Sequence, residues 1–108
     1  MQDYLYKIQP IRHEMLTEGP TEEEKRLVTE HFSFLQGLEE KGVLVLAGRT
    51  TNTDNSSFGI VVFRANSDEE AQGIVRADPA VKNMLFRAEL YPYRIALLNE
   101  ENARQTHQ

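Results

Sequence analysis

VLVLAGRTTNTDNSSFGIVVF, residues 43–63, contains two apolar runs joined by a polar loop, with no helical pattern between them. Val43 to Ala47 and Phe58 to Phe63 are rich in the branched and aromatic residues that favour strands. Thr50 to Ser57 is a hydroxyl- and amide-rich connector, suited equally to a hairpin tip or to a polar pocket wall. Two consecutive strands in mid-chain, with a helical pattern on either side, decide the arrangement of everything else.

Upstream, Thr21 to Lys41 carries Leu27, Val28, Phe34, Leu35 and Leu38 at spacings of three, four and seven, which is the buried stripe of an amphipathic helix. Thr21 with Glu24 forms a capping box, Glu22 to Glu24 sit at the positive end of the helix dipole, and Gly42 is a natural C′ residue. Residues 3–9 look like a strand closed by Pro10, and 10–20 like a loop ending in Gly19-Pro20. Downstream, Ser67 and Glu70 predict a second capping box, opening a helix with Ala71, Ile74 and Val75 inward. Asp78-Pro79 introduces a further helical turn over Ala80 to Met84, and Phe86 to Leu98 is the last strand. Within it the apolar alternation changes phase at Pro92, which predicts a β-bulge there.

The order is β-α-β-β-α-β: an α+β, ferredoxin-like split βαβ with a four-stranded antiparallel sheet and two main helices on one face. One domain over 1–98 is expected, followed by a polar tail over 99–108. The middle strands are apolar on both faces, Val43 and Val45 against Leu44 and Leu46, and Ile60 and Val62 against Val61 and Phe63. Two helices cover one face only, so a second copy of the chain is expected on the other, giving a homodimer.

Composition sets outer limits. A chain of 108 residues should bury roughly 65% of its unfolded surface. A net charge of −5 without a basic cluster argues against nucleic acid or an anionic membrane as partner. The absence of cysteine excludes disulfides and thiolate chemistry. No stretch has the length of a membrane span or a signal-peptide core, and a cytoplasmic protein is expected.

Within the helix stripe, His31 lies four residues after Leu27 and four before Leu35, on the same face. A buried imidazole needs a hydrogen-bond partner, and its unperturbed pKa lies near neutrality. A structural core histidine is one reading of this pattern, and a general acid or base is the other. His13 and His107, in loop and tail, read as solvent-exposed, and no spacing suggests a metal site. Asp78 is a natural N-cap before Pro79 and could also orient an imidazole, since a carboxylate has lone pairs for both. Arg49 emerges after Ala47-Gly48 near a sheet edge or pocket mouth, where such an arginine is usually solvated; facing a pocket, its guanidinium fork could hold a carboxylate or phosphate. Tyr4, Tyr6, Tyr91 and Tyr93 all fall in the terminal strands, where cross-strand aromatic packing explains them first.

EHFSFLQGLEEKG, VLVLAGR, FGIVVF, SDEEAQGIVRADP and YPYRIAL, in this order and spacing over about residues 24–97, together resemble the YCII-related (YciI-like) family. The resemblance implies a dimeric α+β barrel with a His–Asp pair in a pocket of each protomer, at His31 and Asp78 here. It also implies kinship of fold with muconolactone isomerase and cofactor-free monooxygenases, and one family member is described as a dehydrochlorinase of a chlorinated hydroquinone. The chain departs from the family pattern at Arg49, where Pro commonly follows Ala-Gly, and in its longer loop before the first helix. The expected site is therefore His31 and Asp78 as catalytic pair, with Arg49, Phe58 and Tyr93 as substrate contacts and neither metal nor cofactor. The expected ligand is a small organic molecule, anionic or phenolic. The alternatives are a non-catalytic ligand-binding or interaction module and, more weakly, haem binding through His31.

Overall fold

The computed structural model describes residues 1–105. Its elements run β1 (Gln2–Pro10), α1 (Glu14–Thr17), α2 (Glu22–Glu40), β2 (Leu44–Arg49), β3 (Gly59–Ala65), α3 (Asp68–Ala77), α4 (Pro79–Lys82), β4 (Phe86–Tyr93) and α5 (Glu100–Ala103). The four strands form one antiparallel sheet in the order β2-β3-β1-β4. This is the ferredoxin-like α+β arrangement. No helix among the described residues is long and apolar enough to cross a membrane.

Directly opposed residues of an antiparallel pair project to the same face. Tyr4 opposes Phe63 and Pro92, and Tyr6 opposes Val61 and Leu90, so these residues form the face beneath the helices. Leu35 and Leu38 of α2, and Ala71 and Val75 of α3, close over them as the main core. A smaller cluster of Met15, Leu27, Ala80 and Leu85 joins α1, α2 and α4 at one end. Leu5, Lys7, Val62, Tyr91 and Tyr93 project from the opposite face, where Tyr91 and Tyr93 are nearly half exposed.

Local signals explain the helix ends. Thr21 Oγ1 accepts from the Glu24 amide at 3.1 Å while Glu24 Oε1 accepts from the Thr21 amide at 2.8 Å. Gly42, at φ +73°, takes the left-handed C′ position that ends α2. At α3 only half of the expected box forms. Ser67 Oγ accepts from the Glu70 amide, but the Glu70 carboxylate turns back one residue further, to the Asn66 amide.

Several expectations need correction. Residues 10–20 contain the helical turn α1, whose Met15 is buried, and the bidentate Arg12–Glu24 pair, at 2.6 and 2.8 Å, straps this segment to α2. The last strand stops at Tyr93 instead of Leu98. It pairs with β1 in unbroken register through Pro92, so the predicted bulge is absent; β4 lies at the sheet edge, where a missing N–H is tolerated. The register break lies instead in β2, between Leu44 and Leu46. Finally, Tyr4 and Tyr6 contact Phe63, each with ring centroids 5.9 Å apart, and lie on the face opposite Tyr91 and Tyr93. His13 is half-buried immediately ahead of α1, the polar tail includes the exposed turn α5, and His107 lies outside the described residues.

The strap is testable by pH. Hydrogen bonds from Arg12, then the Thr21 amide, hold the Glu24 carboxyl at about 2, below its ordinary 4.5. A depressed carboxyl contributes stability above its unfolded pKa and loses it as pH falls through the folded value. Glu24→Ala should cost on the order of 1 kcal/mol at pH 7, the size of a lost cap. In urea titrations the gap between wild type and variant should narrow as pH falls from about 4.5 towards 2.

Candidate functional site

Asp78 is the junction between α3 and α4. Proline disfavours the helical conformation in the residue before it, and Asp78 accordingly has an extended backbone (φ −63°, ψ 119°) that breaks the two helices apart. Its side chain, 0% exposed, points into the layer between helices and sheet. Oδ1 accepts the Ala80 amide at 3.0 Å, which is the N-cap of α4. Oδ2 accepts the Tyr6 hydroxyl at 2.8 Å, and His31 Nδ1 lies 2.9 Å from Oδ1 and 2.8 Å from Oδ2. One carboxylate thus caps a helix and holds an imidazole.

Sequence reasoning did not identify Tyr6. Its signal was the strand alternation itself: Tyr4, Tyr6 and Ile8 share the buried face, and a buried phenol usually finds a partner for its hydroxyl. Burial, and then the charge of Asp78, push the Tyr6 phenol far above its ordinary range, so it remains a hydrogen-bond donor. Tyr4 makes a parallel contact, its hydroxyl donating to Asp68 Oδ1 at 2.6 Å, and that bond is the main reason its own pKa is raised.

His31 has a fixed environment. Leu27 and Leu35, one turn to either side, are buried, and the Phe86 ring meets the imidazole edge-on at 5.4 Å and 84°. With Nδ1 facing the carboxylate, a neutral imidazole carries its proton on Nδ1 and its basic lone pair on Nε2. His31 lines a cavity of about 470 Å³ between α2, the α1 segment and the end of the sheet. Val28, Phe32 and Leu35 supply one wall of it, Ile8 and Ala47 the floor, and Met15, Leu16 and Pro20 a roof. Val28 is 38% exposed, so the helix stripe expected to be buried opens at this point into the cavity, and Phe32, which lies outside that stripe, is 61% exposed beside it.

Arg49 reaches the same cavity because β2 is irregular. Leu44 opposes Phe63 and Leu46 opposes Val62, so the break at Val45 reverses the phase of the strand. Ala47 and Arg49 then oppose Val61 and Gly59 on the helix-covered face. Strict alternation from Leu44 would have sent Arg49 to the other side. Phe58, immediately ahead of β3, also lines the cavity, and the Lys7 ammonium stands 5.2 Å from its ring centroid. Most of the polar loop is satisfied internally: Asp54 accepts from the Ser56 amide and from Asn52, and only Ser57 contributes to the cavity wall. Tyr93 does not join this group. It opposes Asp3 on the uncovered face, beside a separate shallow depression with Met1 and Arg94.

The geometry thus brings His31, Arg49 and Phe58 together around one space, sets Asp78 and Tyr6 behind the imidazole, and leaves Tyr93 out. Among the described lining residues the basic groups are His31 and Arg49, and none carries a carboxylate. An apolar chamber with one imidazole lone pair and one guanidinium can hold a small planar molecule and move a proton on it.

No curated protein matches the sequence. Among solved structures the chain is similar to 5-chloro-2-hydroxyhydroquinone dehydrochlorinase (TftG) from Burkholderia phenoliruptrix AC1100, in complex with 2,5-dihydroxybenzoquinone. The TM-score is 0.59 at 20% identity, over 84% of this chain and 93% of that one. At that identity the likeness is one of fold. The model of the YCII-related domain matches residues 7–94, the span from β1 to just past β4 that contains both Asp78 and His31. The chain therefore belongs to the YCII-related domain family.

Proposed function

We propose that the protein is a small acid–base enzyme of the isomerase or lyase type, in which His31 acts through Nε2 on a small phenolic or anionic molecule without a cofactor. The observation that carries this reading is the hydrogen bond from Nδ1 to a fully buried carboxylate, with the imidazole at a cavity wall. Nε2 takes a proton from a hydroxyl or an acidic carbon, and Asp78 stabilises the imidazolium that forms. In an isomerisation the same proton returns to another atom of the substrate. In an elimination the leaving group departs with its bonding electrons as the proton is taken, with net loss of HX. The dehydrochlorinase of similar fold makes the second course, on a hydroxylated aromatic ring, the first to test.

The reading includes a homodimer. Leu46, Tyr91 and Tyr93 are each more than two-fifths exposed on the sheet face that carries no helix. Exposed apolar residues at both edges of one sheet face favour a partner surface, and a second copy would cover them with the same residues.

In a halide-release assay with a chlorinated hydroxyhydroquinone, His31→Ala should lower kcat by about 10²–10⁴-fold, the usual size of a general acid–base contribution. Asp78→Asn should also lower it, with a separate loss of stability from the altered cap. Equal turnover by wild type and His31→Ala would assign the histidine to the core alone. Light scattering at micromolar concentration should return twice the 12.4 kDa chain mass, and a monomer mass would remove the dimer from the account.

A further inference from the structure

We infer that the cavity selects small aromatic or quinoid acids, with a carboxylate or carboxylate-like anion held by Arg49 and a hydroxyl directed to His31. This deepens the acid–base reading and rests on it for the hydroxyl end of the molecule. Three observations carry the anion end. The register break at Val45 places Arg49 on the helix-covered face, where it lines the cavity instead of the open side of the sheet. Directly opposite stands Gly59, at which a Cβ would meet Ile8 Cγ1 at 3.1 Å and the Gly48 carbonyl at 3.3 Å. The strand pair is therefore close-packed here and offers the guanidinium no side-chain partner from β3.

Arg49, like Arg76, Arg87 and Arg94, has no carboxylate partner among the described residues, and of these four Arg49 is the one that lines the cavity. Arg12 pairs with Glu24, Arg26 with Glu23 and Glu30, Arg64 with Asp3, and Arg104 with Glu100. The described cavity lining supplies no acidic side chain to neutralise it, and Asp78 is shielded behind His31 with its oxygens already engaged. In a chain of net charge −5, one unpaired guanidinium at an apolar chamber is the local feature that attracts an anion. Its planar fork matches the two oxygens of a carboxylate, and the apolar and aromatic walls, Val28, Phe32, Leu35 and Phe58 among them, suit a flat ring.

Calorimetric titration of the full chain with 2,5-dihydroxybenzoate and with hydroquinone, which lacks the carboxylate, separates the two ends of the ligand. Wild type should bind the acid about 10–100-fold more tightly than hydroquinone, the worth of a charge-assisted hydrogen-bonded contact. Arg49→Gln should bring the ratio close to one, and Arg49→Lys, which keeps the charge without the fork, should give an intermediate value. Arg49 is solvent-exposed, so both variants should keep the wild-type circular dichroism spectrum. Equal affinity of wild type for the two compounds, or an unchanged ratio in Arg49→Gln, would overturn the inference. Neither outcome involves turnover, so failure here is distinct from failure of the acid–base role of His31.

Discussion

The carboxylate of Asp78 is the constraint around which the helical layer is arranged. A charge withdrawn wholly from solvent costs several kcal/mol unless donors replace the lost water. Three elements supply them: the Tyr6 hydroxyl from β1, the His31 ring from α2 and the Ala80 amide from α4. Each donor also fixes its own element. Tyr6 ties the central strand to the helix junction, His31 sets the rotation of α2, and the cap starts α4 where α3 ends. Removing the carboxylate would leave buried donors unmatched, so the fold and the site depend on one group.

The cavity arises where the close packing of that layer stops. Leu35 and Leu38 seal α2 against the sheet, whereas Val28 and Phe32 remain open to solvent on the side facing β2. The Arg12–Glu24 strap holds the α1 segment at that edge, so that Met15 packs on Leu27 and the segment roofs the chamber. The break in β2 then supplies the Arg49 guanidinium. Rigid elements thus hold the imidazole, and an edge irregularity provides the charge beside it.

Much of this was legible because its causes are local. The capping box at Thr21, the left-handed Gly42 and the period of α2 are each readable within a few residues, and His31 stands out against that period. Asp78-Pro79 similarly announces a helix break with a cap. What escaped depends on longer-range geometry. In VLVL every residue is apolar, so a phase reversal at Val45 leaves no trace in the pattern, and the side of the sheet reached by Arg49 is hidden with it. At Pro92 the pattern shifts where the backbone does not, because an edge strand tolerates the missing N–H and the residues beyond Tyr93 leave the sheet. Tyr6 is one of four similar tyrosines, and only the pairing shows which hydroxyl reaches Asp78. Tyr93, expected among the substrate contacts, opposes Asp3 on the other face of the sheet.

The proposed chemistry requires that Asp78 present the Nε2 lone pair of His31 to the cavity. Nitrogen-15 chemical shifts of the imidazole, recorded across a pH titration, report directly which nitrogen bears the proton in the neutral form. The expected result is the Nδ1–H tautomer, the less common form in free histidine, with an unprotonated Nε2. The Nε2–H tautomer, or rapid averaging between the two as in a solvated ring, would contradict it.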